Sequence, residues 1–273
     1  MTVAVRGRAS KRAPARARIT SVIPSMRRIR VDGVEARYLI AGRGPPLLLV
    51  ASPLILARTY RPLVRALASS FTVIVVEPPG SGGSEQLDRA WSFERYGTWL
   101  VDLIRRMPLA APIVVGHSDS APMVIEAARI APRELRAIVL VGPCGAGAPT
   151  SVSRMIAARA RDVLVEPMFS LRATPHLVRN ILRHRGVFFD HVRAAATVDA
   201  THSAAELHVP TLLAWGDRDR TVPLEHAARL GRAIAGAKLV VGSGAHDWIV
   251  THAEAFGAAV RRFAADVASP RWS

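Results

Sequence analysis

From residue 26 onward, short apolar runs alternate with stretches of helical periodicity, a rhythm that predicts strands and helices alternating around a mostly parallel sheet. Residues 29–31 and 36–41 read as a leading hairpin around Asp32-Gly33, and residues 47–51 as an apolar strand after the Gly44-Pro45-Pro46 turn. Residues 71–77, 113–115, 137–141, 211–215 and 238–241 predict five more buried strands, because a strand covered on both faces shows an unbroken apolar run rather than alternation. Between them, residues 60–68, 92–106, 122–130, 225–234 and 253–267 carry the helical period. Eight strands and five helices fit one α/β sheet with helices on both faces.

Residues 150–201 break this rhythm, with several helical segments, Pro167 and Pro175 as expected breakers, and no apolar strand. An insertion at the carboxyl end of a parallel sheet, where ligands bind, predicts a small helical cap. The chain of 273 residues then divides into a tail (1–25), one core domain (26–149 and 202–273) and the cap (150–201).

Charge changes this picture little. The formal net charge is +16, but residues 1–30 hold eight arginines and Lys11 with no acid, which leaves +7 on the remaining 243 residues. Arginine outnumbers lysine 35 to two, so the basicity reads as compositional bias, and no nucleic-acid partner is expected. The tail is Arg-rich and acid-free like a transit peptide, yet lacks the apolar core of about 7–15 residues that a secretory signal needs, and is expected to be disordered. No apolar stretch reaches the length of a transmembrane helix, and the single cysteine, Cys144, has no disulfide partner within the chain. The expectation is a cytoplasmic enzyme acting on a small molecule.

Chemistry enters at residues 113–122. An apolar strand runs into Gly116-His117-Ser118-Asp119-Ser120 and then into the helix that starts near Pro122, the arrangement of a nucleophile elbow. The turn is so tight that the positions two before and two after the serine must be small, as Gly116 and Ser120 are. A serine hydroxyl is a poor nucleophile without a base, and the base needs an orienting acid. Both follow in chain order at strand ends: Gly216-Asp217-Arg218-Asp219 after residues 211–215, and Gly242-Ser243-Gly244-Ala245-His246 after residues 238–241.

On these residues, and along nearly all of residues 30–268, the chain resembles the α/β-hydrolase fold family, in particular lid-bearing esterase- and lipase-like members. Glu77-Pro78-Pro79-Gly80-Ser81-Gly82-Gly83-Ser84 is similar to the family's Asp-x-x-Gly-x-Gly-x-Ser loop, and residues 210–219 resemble its acid strand. The resemblance implies Ser118 as nucleophile, His246 as general base and Asp219, rather than Asp217, as the acid. It implies an oxyanion hole at the Asp119 N–H and at the loop after residues 47–51, where this chain has Ala51-Ser52-Pro53 in place of the usual His-Gly. Proline has no N–H, so the second donor falls to the Leu54 N–H after a one-residue shift, or to the Ser52 or Tyr60 hydroxyl. The Asp119 carboxylate is expected to point outward, away from a developing oxyanion.

Ser52, Pro53, His117, Cys144 and Trp248 are the expected pocket residues, with Met168, Phe169, Phe188 and Phe189 as candidates for an acyl pocket. The cap's eight arginines and three histidines, against Asp162, Glu166, Asp190 and Asp199, are expected on solvated helix faces. Dehalogenase-like and epoxide-hydrolase-like chemistry is excluded, because serine stands where those enzymes use aspartate and the three tyrosines, at 38, 60 and 96, all lie outside the cap. The expected activity is hydrolysis of a carboxylic ester or lactone through an acyl-enzyme, with no metal or organic cofactor. The alternatives are the same fold used for perhydrolysis, C–C hydrolysis or lyase chemistry, or as a non-catalytic ligand-binding protein.

Overall fold

A computed structural model describes residues 24–269, and the side chains of residues 163 and 167–172 are not part of that description. Most of the predicted basic tail therefore lies outside the described residues. All eight predicted strands form one sheet, in the order β1-β2-β4-β3-β5-β6-β7-β8. The strands are β1 (Ser25–Val31), β2 (Val34–Ala41), β3 (Pro46–Val50), β4 (Thr72–Val76), β5 (Ile113–His117), β6 (Ala137–Val141), β7 (Thr211–Gly216) and β8 (Lys238–Gly242). Pairings β1–β2 and β2–β4 are antiparallel; the other five are parallel. The leading hairpin turns at Asp32 and Gly33, both at positive φ, the geometry whose twist matches that of the flanking strands.

Within each apolar run, alternate residues feed opposite cores. Leu48, Val50, Val114, Leu140 and Leu213 pack on one side against α2 (Phe93–Arg106) and α3 (Ala121–Ile130). Leu47, Leu49, Val115, Val139 and Ala214 pack on the other against α1 (Arg61–Leu67) and α10 (Ala253–Val267). One predicted buried strand differs: β8 is the sheet edge, and Leu239 and Val241 remain 51% and 45% exposed. An edge strand has a neighbour on one side only, so it lacks the cover its apolar sequence implies.

The segment between β6 and β7 is helical: α4 (Val152–Val165), α5 (Pro167–Arg183), α6 (Arg185–Thr197) and the short α7 (Thr201–Ala205). Pro167 stands in the first turn of α5, but Pro175 lies within that helix instead of ending it. Proline forfeits one backbone hydrogen bond there, while its fixed φ is itself helical, so tertiary contacts can carry the helix through. The remaining helices are α8 (Glu225–Ala233) and α9 (Trp248–Thr251).

Glu77, at the end of β4, is the buried hub that joins the hairpin to the loops above the sheet. Its carboxylate accepts from Arg37 Nε at 2.7 Å, from the Ala57 N–H at 2.8 Å and from the Gly83 N–H at 2.8 Å. Glu77→Ala would leave the mostly buried guanidinium and two backbone donors unsatisfied, and breaking a buried ion pair in this way costs about 3–5 kcal/mol. The expected result in urea titration is a midpoint shift of that size at unchanged slope, with Glu77→Gln losing less because it keeps the shape and an acceptor.

Candidate active site

Strand β5 ends in a turn so sharp that Ser118 has φ +59°, a left-handed conformation rare for a non-glycine residue and characteristic of functional turns. A Cβ on Gly116 would sit 2.7 Å from the Ala121 Cα, so no side chain fits there. Ser120 meets the matching demand differently. It is fully buried, and its hydroxyl donates to the Val50 carbonyl at 2.7 Å while accepting from the His117 N–H at 2.9 Å, tying the elbow to β3. The turn leaves Ser118 8% exposed at the carboxyl edge of the sheet.

Two further loops deliver the partners. His246 Nε2 lies 2.8 Å from Ser118 Oγ, and His246 Nδ1 lies 2.8 Å from Asp219 Oδ2. The other Asp219 oxygen accepts from the Val222 N–H at 2.8 Å, which fixes the carboxylate plane. Asp217 does not join this chain; it accepts from the Gly244 N–H at 2.8 Å and so shapes the histidine loop instead. Burial pushes the His246 imidazole pKa down, but the charge of Asp219 and its hydrogen bond outweigh burial and leave it above its usual value. Gly142, the first residue after β6, makes room for the pair: a Cβ there would meet Asp219 Oδ2 at 3.0 Å and His246 Cε1 at 3.1 Å.

The predicted pocket residues divide. Cys144 lines the site, its sulfur 3.7 Å from Ser118 Oγ, and burial pushes the thiol up to about 12, so it is neutral and does not compete as a nucleophile. Ser52 is buried beside the elbow, and the Pro53 carbonyl accepts from the Asn180 side chain of α5. His117 and Trp248 support the site from behind rather than lining it. Tyr60 OH accepts from the Ser52 N–H at 3.2 Å and donates to His117 Nδ1 at 2.8 Å, which leaves His117 Nε2 to donate to the His246 carbonyl at 3.2 Å. Burial, followed by the neighbouring His246, brings His117 down to about 4, so it stays neutral and serves as a strut for the histidine loop. Trp248 packs edge-on against Phe256 in the core, because α9 turns its side chain inward directly after the histidine loop. Phe189 is 64% exposed and forms no acyl pocket, while Met168 and Phe169 fall outside the described side chains.

Three expectations for the oxyanion region change. The Tyr60 hydroxyl is committed to His117 and Ser52, and the Leu54 N–H donates to Ser52 Oγ at 3.3 Å, so neither stands free in this conformation. The Asp119 carboxylate does not point outward: the residue is 1% exposed, and among the described residues neither oxygen completes a hydrogen bond. A side chain placed directly after the elbow serine lies beneath the loops at the carboxyl edge of the sheet and is buried there, which the sequence pattern does not register.

The insertion supplies residues that the sequence reading placed on solvated faces. Arg159, Asp162 and Glu166 recur at a spacing of three and four, one face of α4, and that face meets both loops. Asp162 accepts from the Arg220 and Thr221 N–H groups at 3.0 and 2.8 Å beside the acid. Glu166 accepts from the Ala245 N–H at 3.1 Å, and Arg159 pairs with Asp247, the neighbour of His246. On α5, Asn180 Oδ1 accepts from the Gly82 N–H at 2.7 Å. The i, i+3, i+7 recurrence of charge was the one available signal for the α4 face.

Comparison with known proteins places this geometry. Residues 39–259, from β2 into α10, match the model of the Alpha/beta hydrolase family. The chain is 30% identical over 260 residues to the polyketide synthase ThaQ of Burkholderia thailandensis, covering 85% of this chain but only 12% of that much longer protein. It is 26% identical over 260 residues to 2-hydroxy-6-oxononadienedioate/2-hydroxy-6-oxononatrienedioate hydrolase 2 of Pseudomonas putida, covering 85% of this chain and 88% of that one. Among solved structures, a serine hydrolase involved in carbazole degradation superposes with a TM-score of 0.75 at 21% identity, over 89% of this chain and 99% of that one. A family match that runs through the elbow, acid and histidine loops, joined to this sheet order, establishes that the chain belongs to the alpha/beta hydrolase family.

Proposed function

We propose that this chain is a serine hydrolase that cleaves a carboxylic ester or lactone of a small molecule through an acyl-enzyme. The observation that carries the reading is the unbroken relay from Ser118 Oγ through His246 to Asp219, 2.8 Å at each step. His246 takes the Ser118 proton as the oxygen attacks the carbonyl carbon, and Asp219 stabilises the imidazolium that results. The same proton then passes to the leaving alkoxide. Water, deprotonated by His246, attacks the acyl-enzyme and regenerates Ser118.

The Asp119 N–H serves as one oxyanion donor, and the Leu54 N–H becomes a second where Ser52 Oγ releases it. Helices α4–α6 act as a cap over the carboxyl end of the sheet. The engaged N–H groups of the loop after β3 favour one second reading, in which the same three residues serve perhydrolysis, C–C hydrolysis or lyase chemistry.

A fluorophosphonate probe tests the proposal without knowledge of the substrate. Wild-type protein is expected to label covalently, and Ser118→Ala and His246→Ala are expected to lose labelling while retaining the wild-type circular dichroism spectrum. Unlabelled, folded wild type would overturn it, and a labelled protein that turns over no ester or lactone would select the second reading.

A further inference from the structure

One side chain of the insertion reaches the loop that follows β3. Val50 is in register with Gly116, so the chain leaving β3 at Ala51 runs beside the elbow. Asn180 of α5, 2% exposed, stands between this loop and the one after β4. Its Oδ1 accepts from the Gly82 N–H at 2.7 Å, and its Nδ2 donates to the Pro53 carbonyl. The partners force this orientation of the amide. An N–H only donates and a carbonyl only accepts, so exchanging the amide oxygen and nitrogen would set donor against donor at Gly82 and acceptor against acceptor at Pro53.

The Gly82 end of this clamp is anchored. His184, one turn further along the same face, donates from Nε2 to the Gly82 carbonyl at 3.1 Å, and the adjacent Gly83 N–H donates to Glu77 at 2.8 Å. The Pro53 end carries the chemical consequence. The Pro53 carbonyl and the Leu54 N–H belong to one planar peptide unit, and with no cis bond among the described residues they point in opposite directions. Holding the carbonyl therefore aims the N–H, which is directed at Ser52 Oγ 3.3 Å away, beyond the usual length of such a bond. Rotation of the Ser52 side chain alone would then clear the N–H for a substrate oxygen, with the peptide already in place. A buried amide is costly unless its hydrogen bonds are made, and what it supplies that an apolar side chain of the same size lacks is direction.

Resting on Ser118 as nucleophile and the Leu54 N–H as second oxyanion donor, we propose that Asn180 is a positioning residue of the oxyanion hole, fixing the Pro53–Leu54 peptide plane so that its N–H meets the developing negative oxygen. The hole is thus complete only while α5 is seated on the core. A donor held in this way needs no reorientation at the moment of reaction, which is where the advantage of a preorganised site lies.

The test follows the rate of fluorophosphonate labelling, a reaction that builds negative charge on the phosphoryl oxygen in the oxyanion hole, together with turnover of 4-nitrophenyl acetate. Asn180→Ala removes the clamp. Asn180→Asp keeps its shape and the acceptor for Gly82 but turns a carboxylate oxygen toward the Pro53 carbonyl. Both are expected to lose about 10²-fold in the labelling rate constant and in kcat, the scale of one oxyanion donor. KM is expected to hold, because acylation and deacylation both pass through an oxyanion and slow together. His176→Ala removes another contact of α5 with the core, to Thr59 Oγ1 at 3.0 Å, without touching the Pro53–Leu54 peptide, and is expected to keep the wild-type rates. Partial unfolding lowers the labelling endpoint but not the rate constant of the competent fraction, so the rate constant separates positioning from folding. Rate constants of both Asn180 variants that match wild type, or an equal loss in His176→Ala, would overturn the inference. Wild type that labels alongside such a result leaves the hydrolase assignment standing, whereas unlabelled wild type removes that assignment and this inference with it.

Discussion

Ser118→Ala, His246→Ala and the double variant are each expected to lose about the same ester hydrolysis, on the order of 10⁶-fold in kcat, instead of the product of two separate losses. The reason is geometric. Ser118 Oγ and His246 Nε2 share one proton across 2.8 Å, so removing either partner removes the whole nucleophile. The rate that survives comes from binding and the oxyanion donors, which in related chemistry hold about 10³–10⁴ over the uncatalysed reaction. In this chain that residue is expected to be smaller, because Pro53 carries no N–H and the Leu54 N–H is turned to Ser52 Oγ. Steady-state turnover of a chromogenic ester series at high enzyme concentration measures all three variants, and single losses that multiply in the double variant would show that the two side chains do not act as a unit.

Asp219→Asn is the second large effect, with an expected fall of about 10⁴-fold in kcat/KM and a displaced pH profile. In the wild type, Asp219 lifts the His246 pKa against the opposing pull of burial. Removing its charge leaves burial dominant and lowers the pKa. The basic form of the imidazole then persists to lower pH, so the acid limb of kcat/KM moves down the pH scale even as the plateau falls. The asparagine retains an acceptor for the Val222 N–H, so the loop is expected to keep its shape and the variant to melt close to wild type. A profile that keeps its acid limb in place would show that another group sets it.

How much of this was legible in the chain differs by element. The eight apolar runs, the elbow spacing around Ser118 and the order serine, acid, histidine are local properties, each fixed within a dozen residues by side-chain period or turn sterics. They therefore survive folding: Ser118, His246 and Asp219 meet as their positions at three strand ends require. Local pattern also sets the two-sided burial of the central strands and the hairpin at Asp32-Gly33.

What the tertiary structure decided is everything that depends on which neighbour covers a side chain. Sequence period cannot say that β8 is an edge, that α9 turns Trp248 into the core, or that one face of α4 carries Arg159, Asp162 and Glu166 onto the acid and histidine loops, because these residues lie about 60 to 90 positions from their partners. Nor can it say that Glu77 gathers donors from three separated segments, or that the Asp119 side chain is buried. A charged side chain looks the same in sequence whether water or protein surrounds it. Its desolvation is a property only of the folded chain.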